Sequence, residues 1–121
     1  MKHAPATWNR IEEAELEVSG VTLGTGFGRS VGLRVDGKIY AIHHDSGLVV
    51  KLPRDRVDEL IRTGVGVAWG PSAGRIMREW VSIPTAYSAG WLHLTKKARV
   101  FVASQGRSAA EGRSRRGELS P

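Results

Sequence analysis

Apolar positions recur at helical spacing near the start, in the centre and towards the end of the chain, and alternate with polar or small residues between. From Trp8 to Val18 the apolar stripe is thin: Trp8, Ile11, Ala14 or Glu15, and Val18 fall near one face, with glutamates elsewhere. That spacing predicts a first helix, and Ser19-Gly20 ends it, because glycine tolerates the left-handed turn at a helix C-terminus. A β-prone stretch follows. Val21-Thr22-Leu23 is short, and the glycines at 24, 26 and 28 alternate with Thr25 and Phe27. Gly32-Leu33-Arg34-Val35 and Lys38-Ile39-Tyr40-Ala41-Ile42 flank Asp36-Gly37, the strongest short-range signal for a hairpin. Leu48-Val49-Val50-Lys51 follows a second turn at Asp45-Ser46-Gly47, completing a three-strand antiparallel meander.

Pro53 stands at the start of a second helix in which Val57, Leu60 and Ile61 share a face, with Gly64 just past its end. Two further strands are expected, from Val65 to Trp69 and from Glu79 to Ile83, joined by Gly70-Pro71-Ser72-Ala73-Gly74 and closed by Pro84. Trp91, Leu94, Ala98, Phe101 and Val102 then form the stripe of a last helix, with Ser88 as its expected N-cap. The order is α-β-β-β-α-β-β-α. Hairpins dominate and βαβ alternation is missing. The expected fold is therefore α+β: a two-layer sandwich with an antiparallel sheet of about five strands packed against helices.

The chain has 121 residues, room for one domain, placed at residues 1–104. After Ser104 the composition turns to Arg, Ser, Gly, Ala and Glu, which cannot bury enough apolar surface to offset an ordering cost of about 1–2 kcal/mol per residue. Residues 105–121 are expected to be a disordered basic tail. No apolar run approaches the roughly 18 residues of a membrane span, so no membrane partner is expected. Glutamates occupy the positions where a signal peptide needs apolar residues. The chain contains no cysteine, which excludes disulfides, thiolate nucleophiles and cysteine metal sites. A cytoplasmic protein fits both observations.

Net charge is +6, but Arg107, Arg113, Arg115 and Arg116 of the tail contribute part of it against Glu111 and Glu118. The remaining excess is modest and by itself names no nucleic-acid partner.

One resemblance joins the pieces. Gly26-Phe27-Gly28, then Gly32-Leu33-Arg34-Val35-Asp36-Gly37-Lys38-Ile39-Tyr40-Ala41, then Leu48-Val49-Val50-Lys51-Leu52-Pro53, and finally Gly74-Arg75-Ile76-Met77-Arg78-Glu79-Trp80-Val81 stand in order. Over residues 20–103 this series resembles the N-terminal domain of the TfoX/Sxy family, which shares its fold with YjbR-type proteins. Thr25-Gly26 departs from that family's usual Lys-Met. The resemblance implies a two-layer α/β sandwich, no catalytic activity, no cofactor, and a regulatory or protein-interaction role.

The residues offer little competing chemistry. Gly24-Thr25-Gly26-Phe27-Gly28 is followed by a strand, whereas a dinucleotide-binding turn must open a helix that receives the pyrophosphate. The glycines between 66 and 74 lack the Gly-Lys-Ser/Thr ending of a phosphate loop. His43-His44-Asp45 has metal or acid–base character, but strand neighbours point to opposite faces, so a solvated turn accounts for it without a metal. His93 has no carboxylate nearby in sequence. All four tryptophans are expected to anchor the core, Trp80 from a strand and Trp91 from the last helix; for Trp8 and Trp69 an exposed partner-binding anchor is the alternative. Arg29, Arg34, Arg75 and Arg78 lie in the sheet region and are the candidate contacts to a partner or to phosphate.

The reading that follows is a non-catalytic regulatory or adaptor domain that binds a protein partner. A DNA-contacting accessory protein, using a basic sheet face or the tail, is the alternative; an enzyme or small-ligand binder ranks last.

Overall fold

The structure, a computed structural model, describes residues 4–25, 31–44, 47–70 and 76–119. The elements are α1 (Ala4–Leu16), β1 (Val21–Thr25), β2 (Val31–Val35), β3 (Lys38–His44), β4 (Gly47–Lys51), α2 (Arg54–Arg62), β5 (Val67–Ala68), β6 (Trp80–Ile83), a 3₁₀ helix (Thr85–Gly90) and α3 (Trp91–Leu119). One six-stranded sheet runs in the order β1-β2-β3-β4-β6-β5, with every neighbouring pair antiparallel. The fold is α+β as the pattern predicts, with six strands in place of about five.

The additional strand is Val21–Thr25, which pairs with β2 along its whole length, from Val21↔Val35 to Thr25↔Val31. Its glycines conceal it from propensity, and the neighbouring ladder supplies what its own residues do not advertise. At the β2–β3 hairpin Asp36 has φ 51° and Gly37 φ 81°, the two positive values that an Asp-Gly turn accommodates. The register of the same pair shifts between Leu33 and Arg34, where Leu33 faces Ala41 and Arg34 faces Ile39. Tyr40 is thus the extra residue of a β-bulge, and both Tyr40 and Ala41 enter the same core cluster.

That cluster lies between the sheet and helices α1 and α3. Leu33, Tyr40, Leu48, Val50, Val81 and Ile83 meet Trp8 and Ile11 of α1 and Trp91, Leu94, Ala98 and Val102 of α3. The stripe read from sequence on the last helix is the buried one, except that Phe101 is half-buried. Fully burying an aliphatic side chain of this kind contributes about 1.5–3 kcal/mol. Trp8 is 3% exposed, in the core as expected, with its ring stacked on His43 of β3. On the opposite face a smaller cluster, Ile42, Val49 and Trp80, packs with Ile39, Trp69 and Met77.

Two further differences concern α3. Ser88 falls inside the 3₁₀ turn and offers its carbonyl to the Trp91 N–H, so its side chain is not the N-cap. The chain changes direction one turn later than the serine suggests. The α3 backbone also continues to Leu119, through the segment for which composition predicts disorder. Once a helix is nucleated each added residue gains a hydrogen bond at little cost, and Ala, Arg and Glu propagate it well.

Candidate functional site

The end of the sheet beyond β6 is assembled from α2 outward. Val57 and Leu60 of α2 are buried, while Ile61, third in the sequence stripe, is 38% exposed. The helix ends in a paired set of turn bonds: the Gly64 N–H donates to the Ile61 carbonyl (3.1 Å) and the Val65 N–H to the Leu60 carbonyl (3.0 Å). Gly64 takes φ 83° to make both possible. Gly66 then lets the chain press onto the core. A Cβ there would lie 2.5 Å from Val81 Cγ2 and 3.2 Å from Leu60 Cβ. This close approach delivers Val67 and Ala68 to β6 as a two-residue edge strand.

The Met77 N–H donates to the Trp69 carbonyl (2.9 Å), and the Trp69 and Trp80 rings pack with centroids 6.0 Å apart. Between these parts opens a cleft of about 260 Å³, with Val57, Ile61, Ala68, Ile76, Met77 and Trp80 as apolar walls. Asp58 and Arg78, both exposed, supply one charge of each sign. Of the lining side chains, Ile76 is 66% exposed and Ile61 38%. These two large apolar side chains are left to solvent beside one depression.

Of the four candidate arginines, Arg29 and Arg75 lie outside the described residues. Arg34, on β2, lies over Gly24 of β1 and donates from Nη1 to the Gly37 carbonyl (3.1 Å). Arg78 stands on the segment leading into β6 and lines the apolar cleft. Three strand spacings separate β2 from β6, about 14 Å, so the fold does not bring Arg34 and Arg78 together. Two basic side chains do approach elsewhere: Arg56 and Lys97 line a second depression of about 420 Å³ with His93, Leu52 and Pro53.

A buried polar centre lies under the other end of the sheet. Glu15 of α1 is 1% exposed, and its Oε1 accepts from the Tyr40 hydroxyl (2.9 Å) and from Arg99 Nε of α3 (2.9 Å). One carboxylate oxygen therefore ties α1 to the bulge of β3 and to α3. Burial, and then the Glu15 charge and hydrogen bond, raise the Tyr40 pKa well above the ordinary phenol value. Beside this centre the His43 ring stacks on Trp8 (centroids 5.4 Å) and meets the edge of Trp91 (6.4 Å). His44 is exposed, and Asp45 lies outside the described residues. The two adjacent histidines thus separate as strand geometry requires, His43 facing the helices in a half-buried aromatic setting and not in a solvated turn. Among the described residues no group of three or more His, Cys, Asp or Glu is placed to hold a metal ion.

Glu15 shares the thin helix stripe with Ala14 in the sequence, which shows neither Tyr40 nor Arg99 as its partner. The signal was a glutamate at the i+4 position from Ile11 on an otherwise apolar face. Ile61 is legible as part of the α2 stripe and Met77 as part of the ordered series before β6, but nothing in the sequence brings the two to one cleft. No helix among the described residues is long and apolar enough to cross a membrane. No family model, no curated protein and no solved structure matches this chain.

Proposed function

We propose that this chain is a non-catalytic adaptor domain, similar in kind to the TfoX/Sxy N-terminal domain, which takes an apolar anchor of a protein partner into the cleft between α2, β5 and β6. The observation that carries the reading is the exposure of Ile61 and Ile76 around a cleft with Trp80 and Met77 in its wall. Interface energy concentrates where a partner side chain fills a desolvated apolar pocket, and a thioether adapts its shape to what enters. Asp58 and Arg78 at the same cleft give the partner's polar rim one acceptor and one donor, which orients it. The ordered motif series at residues 20–81 supports the same class of activity, and a cytoplasmic setting accords with it.

The test is crosslinked capture from host-cell extract on the immobilised chain. Recovery of one reproducible protein is expected, with loss of at least about tenfold in Ile61→Asp and Ile76→Asp, side chains whose exposure keeps the fold intact. Capture indifferent to both substitutions would remove the cleft from the account. The nucleic-acid alternative is read in parallel on labelled duplex at about 50 mM salt, where a phosphate-contacting protein binds well and loses affinity steeply as salt rises. The adaptor reading expects no shifted duplex there.

A further inference from the structure

The sheet has two edges, and they differ in kind. The β5 edge is two residues long, and shortness is one of the ways natural proteins keep an edge from pairing with another chain. The β1 edge, Val21–Thr25, has five residues with no charge, no proline and no bulge against β2. From Val18 to Leu33 the only charged residue is Arg29, in a chain of net charge +6. None of the usual protections is built into this strand.

Its outward hydrogen-bonding groups can be assigned. The Asp36 N–H donates to the Gly20 carbonyl (3.0 Å), which makes Gly20 and Asp36 a hydrogen-bonded pair. Such pairs alternate along an antiparallel ladder. Thr22 and Gly24 therefore bond to β2, and the backbone groups of Val21, Leu23 and Thr25 point away from it. The Val21 N–H donates to the Val18 carbonyl (3.2 Å). Among the described residues no other backbone group reaches this edge, which leaves the N–H and carbonyl of Leu23, the carbonyl of Val21 and the N–H of Thr25 facing out.

We propose that this edge is a homodimer interface in which β1 pairs antiparallel with β1 of a second copy about a two-fold axis at Leu23, joining two sheets into one. The outward groups match themselves under that operation. Leu23 exchanges both bonds with the second Leu23, and each Thr25 N–H meets the opposing Val21 carbonyl. A second copy fits where a charged partner strand gains nothing, because like-charged chains approach with least repulsion through a stretch carrying no charge. The side chains agree. Leu23 is 48% exposed and Val31, its diagonal neighbour on β2, 46% exposed. Both point to the helix-covered side by alternation with Val21 and Leu33 of the core. Across the axis the two pairs meet and extend the apolar layer from one copy into the next, the isologous contact that closes a dimer.

Sedimentation equilibrium and light scattering on the full chain test this inference independently of the cleft at α2. A species of twice 13.2 kDa is expected, dissociating on dilution. Leu23→Lys, which sets two like charges across the axis, should raise the dimer dissociation constant by about tenfold or more, while Val67→Lys on the other edge leaves it unchanged. Circular dichroism on both variants establishes that each is folded. A nitroxide on Leu23→Cys, attached specifically because the chain has no other cysteine, should report a distance within about 20 Å, since paired Cα atoms sit about 5.5 Å apart. A monomer at every concentration, a dimer indifferent to Leu23→Lys, or spin labels beyond that distance would each overturn the proposal.

Discussion

The two ends of the sheet are closed by opposite means. At the β1 end, α1 is fastened by a buried ion: Glu15 bridges the Tyr40 hydroxyl and the Arg99 guanidinium through one oxygen. At the β5 end, α2 is fastened by shape: Leu60 and Val81 close over Gly66, where a methyl group has no room. A buried ion fixes geometry but becomes costly once a partner is removed, whereas an apolar fit is degraded in proportion to the atoms changed. The end held by the ion also carries the bare edge strand, and the end held by shape carries the open cleft.

The largest effect should come from breaking the ion. Arg99→Ala leaves the Glu15 carboxylate with the Tyr40 hydroxyl alone and is expected to destabilise the fold by about 3–5 kcal/mol in urea unfolding. Glu15→Gln, which keeps an acceptor for the hydroxyl, should lose clearly less. A loss below about 1 kcal/mol in Arg99→Ala would show that α1 is held by Trp8 and Ile11 and not by the charge.

The glycines come next. Gly66→Ala meets Val81 Cγ2 and Leu60 Cβ in a packed corner and is expected to cost about 1–3 kcal/mol. Gly24→Ala meets only the flexible Arg34 side chain, which can swing aside, and should change stability by less than about 0.5 kcal/mol. Equal costs at the two sites would erase the distinction between a wedged end and a loosely covered one.

A last effect is confined to high pH. Because the folded-state pKa of Tyr40 is raised, the folded protein retains a proton that the unfolded chain releases above about pH 10. The contribution is fully present below that value and is lost as pH rises, by about 1.4 kcal/mol per pH unit. The difference in stability between the native chain and Tyr40→Phe should accordingly shrink by about 1 kcal/mol between pH 10 and 11, where the unfolded tyrosine passes from half to mostly ionised. A difference that stays constant over this interval would mean that Tyr40 titrates normally and that the hydroxyl is not sealed beneath α1.

Much of this architecture is legible in residue order. Asp36-Gly37 announced its hairpin because few residue pairs take positive φ twice in succession. Val57, Leu60 and Gly64 marked α2 and its end because helix period and left-handed caps are local properties. The candidate site was much less legible. Arg34 and Arg78 sit on neighbouring β-rich segments in sequence but three strand positions apart in space, since β6 returns beside β4 and β2 lies beyond β3. The apolar stripe of α1 marked Trp8 for burial but not its partner, because the His43 ring it stacks on belongs to a strand distant in sequence.

Sequence alone determined the antiparallel class, the sites of the turns, and which face of α2 and of α3 is apolar, because each depends on φ, ψ and periodicity over a few residues. Tertiary structure decided that Val21–Thr25 becomes a full edge strand, that a bulge turns Tyr40 inward, and that Glu15 finds Arg99 eighty-four positions away. Those outcomes depend on which surfaces meet, and pairing between distant segments leaves no periodic trace in either of them.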